Sequence, residues 1–87
     1  MNARLKQKII NNARKGFEEY EINMDKFPEI IFDEWEDQKS WVTSLEIKFC
    51  KQKPDKYGIN QGRCLKIDGI YYDEKTGEIL QAVMNFD

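Results

Sequence analysis

Residues 40–50 alternate with a period of two. Trp41, Thr43, Leu45, Ile47 and Phe49 fall on one side; Val42, Ser44, Glu46 and Lys48 fall on the other. Successive side chains of a strand point to opposite faces, so this segment presents one apolar face and one largely polar face. A parallel sheet is buried on both faces and reads as a continuous apolar run. Alternation of this kind requires an antiparallel sheet covered on one side only. The rest of the chain must therefore supply strand partners and a cover.

The cover is found at residues 3–20. Leu5, Ile9, Ala13, Phe17 and Tyr20 recur at helical spacing, and Ile10 widens the stripe. Bases occupy the start of this segment and Glu18, Glu19 and Glu21 its end, which opposes the helix dipole. Such a helix gains little from its own electrostatics and depends on docking. Gly16 weakens it by up to about 1 kcal/mol relative to alanine, unless a close approach to the sheet requires it.

Three further strands are expected. Residues 29–35 read as an edge strand, with a single helical turn as the alternative, and Pro28 suits the start of an edge strand. Residues 23–28 connect helix to strand, and 36–39 make a polar turn. Residues 63–72 form the next strand, with Leu65, Ile67, Gly69 and Tyr71 on one face and Lys66, Asp68 and Tyr72 on the other. Residues 73–78 form a hairpin turn with Gly77 in the left-handed position. Residues 79–86 close the sheet, with Leu80, Ala82, Met84 and Phe86 inward and Ile79 and Val83 outward. The expected fold is α+β: one domain over residues 1–87, an N-terminal helix packed on a three- or four-stranded antiparallel meander.

Eighty-seven residues hold one core, with a stability of roughly 4–10 kcal/mol. No apolar run follows the basic residues at positions 4–8, and no segment approaches the ~20 apolar residues of a membrane span. The expectation is a protein of the cytoplasm of whatever cell makes it, with no membrane partner. In that reducing setting Cys50 and Cys64 are expected as buried thiols, with pairing across a hairpin as the alternative. Two thiols and no histidine do not complete a four-ligand metal site, so neither metal nor cofactor is expected. The absence of histidine also removes the commonest general base, and the chain reads as a non-enzyme.

Charge is unevenly distributed along the sequence. Residues 1–17 carry five bases and no acid; residues 18–37 carry nine acids and one base. Residues 38–66 carry seven bases and two acids; residues 67–87 carry one base and five acids. The acidic block, with Glu29, Asp33, Glu34, Trp35, Glu36 and Asp37 at its end, is the first candidate surface. A rigid array of carboxylates competes for the basic grooves that hold nucleic-acid phosphates, and an exposed tryptophan supplies an anchor. The alternative is a solvated edge with Trp35 turned into the core. Lys48, Lys51, Lys53, Lys56, Arg63 and Lys66 form a second candidate, a basic loop able to touch nucleic acid directly. A sequence pI near 5.2 argues against nucleic acid as the primary partner.

The third candidate is the loop motif itself: Tyr57, Gly58, Ile59, Asn60, Gly62, Arg63, Lys66 and Ile67. Gly58 and Gly62 suit positive φ, Asn60 suits an Asx-type turn, and Arg63 is placed to pair with Asp55 or Asp68. The motif lacks the spacing of a phosphate-binding loop. With Trp41 before it and Asn85-Phe86-Asp87 after it, it resembles a group of short proteins of bacteriophages and other mobile elements whose role is not established. The likeness covers residues 41–87. Gln61 stands where that pattern has glycine, and Cys64-Leu65 where it has an aliphatic residue and a serine. Members also continue beyond the position of Asp87 with Arg-Gly-Trp. The resemblance implies an accessory protein of a mobile element, at work in the cytoplasm of its bacterial host. Joined to the acidic block, it leads to an expected inhibitor of a host nucleic-acid-handling or defence complex, similar in kind to an anti-CRISPR protein. Direct nucleic-acid binding through residues 48–66 and a structural or self-associating role, as monomer or homodimer, are the rival expectations.

Overall fold

The computed structural model describes residues 1–37 and 42–86, with 36, 37, 42 and 43 as backbone only. Helix α1 spans Ala3–Glu18, and four strands come after it: β1 Glu29–Asp37, β2 Val42–Cys50, β3 Cys64–Tyr72 and β4 Ile79–Asn85. They form one antiparallel meander in the order β1-β2-β3-β4. The α+β architecture is thus the expected one, with four strands rather than three. Residues 29–35 are strand and not a helical turn, and β1 runs two residues further. Residues 36 and 37 of the expected polar turn belong to β1 instead, whereas its remainder at 38–39, the strand start at 40–41 with Trp41 on the apolar face, and the closing Asp87 lie outside the described residues. No helix among the described residues is long and apolar enough to cross a membrane.

The helix starts where Asn2 caps it: its side-chain Oδ1 accepts the Leu5 amide at 2.8 Å. Ile9, Ile10, Ala13 and Phe17 bury their side chains against Leu45, Ile47 and Phe49 of β2 and Leu65, Ile67 and Ile70 of β3. Phe17 is the centre of this layer, edge-on to Phe49 at 5.8 Å and to Phe86 at 5.5 Å between ring centroids. A Cβ on Gly16 would sit 3.6 Å from Met84 Cε, so this helix turn lies close to β4. The connector contributes more than its length suggests. A 3-10 turn at Met24–Lys26, capped by Asn23, sends Met24 and Phe27 into the core.

Two expected side-chain parities on β3 and β4 are overturned, and one kind of irregularity explains both. Asp68 pairs with Val83, yet the next pair is Tyr71 with Gln81. Two residues of β3, Gly69 and Ile70, thus oppose Ala82 alone, a bulge that Gly69 permits with φ +59. The extra residue turns Ile70 inward and leaves Tyr71 65% exposed, while Tyr72 packs against the core. On β4, Leu80 is the extra residue between the Tyr71–Gln81 and Tyr72–Ile79 pairs. Ile79 therefore packs inward and Leu80 is exposed.

The β3–β4 turn locks onto the helix. The Asp73 carboxylate accepts the amides of Lys75 and Thr76 at 2.8 and 2.9 Å. Gly77, at φ +73, packs so tightly that a Cβ would lie 2.7 Å from Lys8 Cβ, and its carbonyl accepts Asn12 Nδ2 at 2.8 Å. The Thr76 and Lys75 amides hold the Asp73 carboxyl below its ordinary value of 3.8. A folded-state pKa below the unfolded one adds stability that is complete above the unfolded value and disappears as pH falls through the folded one. Urea midpoints measured downward from pH 5 should therefore decline more steeply for the wild type than for Asp73→Asn. Identical pH slopes for the two would contradict this assignment.

Candidate interaction surface

The sheet is covered by α1 on one face and open on the other. Register places the open-face side chains in rows across the strands. Asp33 of β1 stands opposite Glu46 of β2, which stands opposite Asp68 of β3, which stands opposite Val83 of β4. The neighbouring row is Ile31, Lys48, Lys66 and Asn85. Like charges directly opposite each other are destabilising, so three adjacent carboxylates need counter-charges. Two of them have these on their own strands: Lys48 Nζ lies 3.7 Å from Glu46 Oε1, and Lys66 Nζ lies 3.3 Å from Asp68 Oδ2.

Asp33 differs. The position that holds lysine on β2 and β3 holds Ile31 on β1. Asp33 is exposed, and no ion pair reaches it among the described residues. Two residues on, Trp35 shares this face opposite Ser44 and is 48% exposed, so it is not the core residue of the alternative reading. The outer edge of the open face thus presents a carboxylate with no lysine on its own strand and a half-exposed indole.

The acidic block does not act as one surface. Alternation along β1 sends Glu34 to the helix side, where Oε1 lies 3.6 Å from the Met1 amino group. Burial raises the Tyr72 pKa, and the nearby Glu34 and Glu74 carboxylates add to the rise. Arg14 draws in both Glu18 and Asp25, at 3.3 and 2.9 Å. Glu29 lies at the start of β1 opposite Cys50. Glu36 and Asp37 are placed by their backbone alone, at the far end of β1.

The β2–β3 connection is an extended hairpin. Lys51 N donates to Arg63 O and Gln52 N to Gln61 O, each at 3.1 Å, continuing the ladder beyond the strands. At the tip the Asp55 carboxylate accepts the amides of Tyr57 and Ile59, each at 2.9 Å, and Asn60 Nδ2 at 3.2 Å. Asp55, not Asn60, is therefore the Asx residue of the turn. Asn60 is in the left-handed region at φ 64, as are Gly58 and Gly62 at φ 76 and 70. Arg63 Nη2 donates to the Phe86 carbonyl at 3.4 Å, which ties the hairpin to the end of the chain. The Asp55 carboxylate, an expected partner of Arg63, is engaged instead by the turn it closes. Tyr57 and Ile59 are left 75% and 61% exposed.

The hairpin base is closed covalently, because Cys50 and Cys64 form a disulfide. This corrects the expectation of two thiols. The two residues are directly opposed, with Cα atoms 4.1 Å apart. The Lys51-to-Arg63 bond beyond them marks theirs as a non-hydrogen-bonded pair, the site where opposed side chains approach most closely.

The basic residues of this segment are dispersed. Lys48 and Lys66 serve the acidic row, Lys51 lies over the Phe27 ring at 5.6 Å and Lys56 over Tyr57 at 5.0 Å. Lys48 and Lys66 face each other across β2 and β3, while Lys51 and Lys56 each lie over an aromatic ring. Sequence reasoning missed the pairing of Glu46 and Asp68 with their own lysines, although the i, i+2 spacing on one strand face was visible. Comparison with protein-family models, with curated proteins and with solved structures finds no match to this chain.

Proposed function

We propose that the chain is a non-enzymatic binding protein that docks its β1 edge on a basic surface of a host nucleic-acid-handling or defence complex. The observation that carries the reading is Asp33, the one carboxylate of the cross-strand acidic row without a lysine on its own strand, set beside half-exposed Trp35. A groove built to hold phosphates attracts such an edge at long range, and the indole anchors it at contact. Glu29 extends the same edge, whereas Glu34 is drawn to the opposite face. The mobile-element motif that Tyr57–Lys66 resembles supports a host machine as the partner class.

The test uses wild type and an Asp33→Lys, Trp35→Ala variant as baits in host lysate, followed by kinetics on the purified partner. Both substitutions are at exposed positions and should leave the fold intact, which circular dichroism checks. Wild type is expected to retain a nucleic-acid-handling complex, with an association rate that falls as salt rises. The variant should bind at least about tenfold more weakly, equivalent to ~1.4 kcal/mol. Equal retention of that complex by both baits overturns the proposal.

A further inference from the structure

The meander leaves two edges, and they are chemically opposite. β1 carries Glu29, Asp33, Glu34, Glu36 and Asp37 within nine residues. Residues 79–86, which include all of β4, carry no charge. Edge strands are commonly protected from pairing by charge or by bulges. β1 has the first protection. β4 carries the extra residue Leu80 and faces the β3 bulge at Ala82, and its residues Gln81–Asn85 run on as one strand with no extra residue of their own.

We infer that Gln81–Asn85 is a self-pairing edge, at which two copies of this chain join antiparallel about a two-fold axis at Val83 to make one continuous sheet. In that register Val83 meets the partner's Val83 on the open face, flanked on both sides by Gln81 against the partner's Asn85. These amides are able to hydrogen-bond across the junction. On the helix side Ala82 meets the partner's Met84. Next to that position lies a groove of about 520 Å³ between α1 and β4, whose lining includes Ala13, Gly16, Ala82 and Met84 as well as the charged Lys15 and Glu19. The groove accepts the added apolar side chain, and Val83, 59% exposed in the single chain, becomes covered.

The charge pattern makes a second copy the occupant. Neutral meets neutral at β4. The equivalent pairing of β1 about Asp33 would set Asp33 against itself and Glu29 against Asp37, like charge on like charge. Mixed β1–β4 pairing would generate an open chain of molecules, whereas β4–β4 pairing closes at two. The inference is independent of the function proposed above, since it uses the opposite edge.

Sedimentation equilibrium over a range of concentrations tests it, with wild type, Val83→Lys and Val83→Cys. Wild type should dimerise. Val83→Lys places two ammonium groups at the axis and should weaken the dimer about a hundredfold or more, with an unchanged circular dichroism spectrum. Val83→Cys should give a disulfide-linked dimer on mild oxidation, which reports the register directly. A wild type that stays monomeric at all concentrations overturns the inference. A dimer indifferent to Val83→Lys also overturns it, as does failure of Val83→Cys to cross-link.

Discussion

Phe17→Ala should lower the free energy of unfolding by about 3–5 kcal/mol, the range for deleting a buried aromatic ring. The position explains why the upper half of that range is expected. Phe17 is fully buried, packs edge-on against both Phe49 and Phe86, and sits on the helix face that covers the sheet. Edge-to-face aromatic pairs add about 0.5–1.5 kcal/mol beyond area burial. A helix with no acid in its first turn is poorly served by its dipole and is held mainly by this contact. Against a total of roughly 4–10 kcal/mol for a chain of this length, the variant should be marginal at room temperature. Urea unfolding followed by circular dichroism measures the change. A loss below about 1 kcal/mol would show that the helix is not docked through Phe17.

Removing the disulfide is expected to have the next largest effect. Cys50 and Cys64 are separated by 14 positions, and opening a loop of that size releases roughly 3 kcal/mol of constraint on the unfolded chain. The Cys50→Ala, Cys64→Ala double variant should therefore lose about 2–4 kcal/mol. Cys50 is also fully buried, so part of any loss belongs to packing. Adding reductant separates the two contributions. Wild type should fall in stability under reductant while the variant stays where it was, and the gap between them should shrink to the packing part alone. A wild type insensitive to reductant would mean that the bond contributes nothing.

The elements that could be read from the sequence were those governed by a single uninterrupted period. The alternation through Leu45, Ile47 and Phe49 and the stripe Ile9, Ala13, Phe17 both correspond to buried faces. Reading failed where one residue was added. Gly69 and Leu80 each shift the parity of the residues beyond them, and a period cannot announce its own interruption, although a glycine within a strand is the usual marker. Met24 and Phe27 were missed because a six-residue connector is too short to show any period. The cysteine pair was missed for another reason. Whether two opposed residues fall at a close or a wide pair depends on the hydrogen-bond phase of the ladder, which the hydrophobic pattern does not encode. On β1 the signal was present: alternation alone separates Asp33 and Trp35 from Glu34, so the acidic stretch was never one surface.

The helix is joined to residues on either side of β4. Asn12 grips the carbonyl of Gly77, and Phe17 packs edge-on against Phe86. During translation α1 leaves the ribosome some sixty residues ahead of Gly77 and Phe86, which at about 5–20 residues per second is a delay of several seconds. For that interval Ile9, Ala13 and Phe17 lack their final cover. The nascent chain therefore offers an amphipathic segment to chaperones well before the mature molecule hides it.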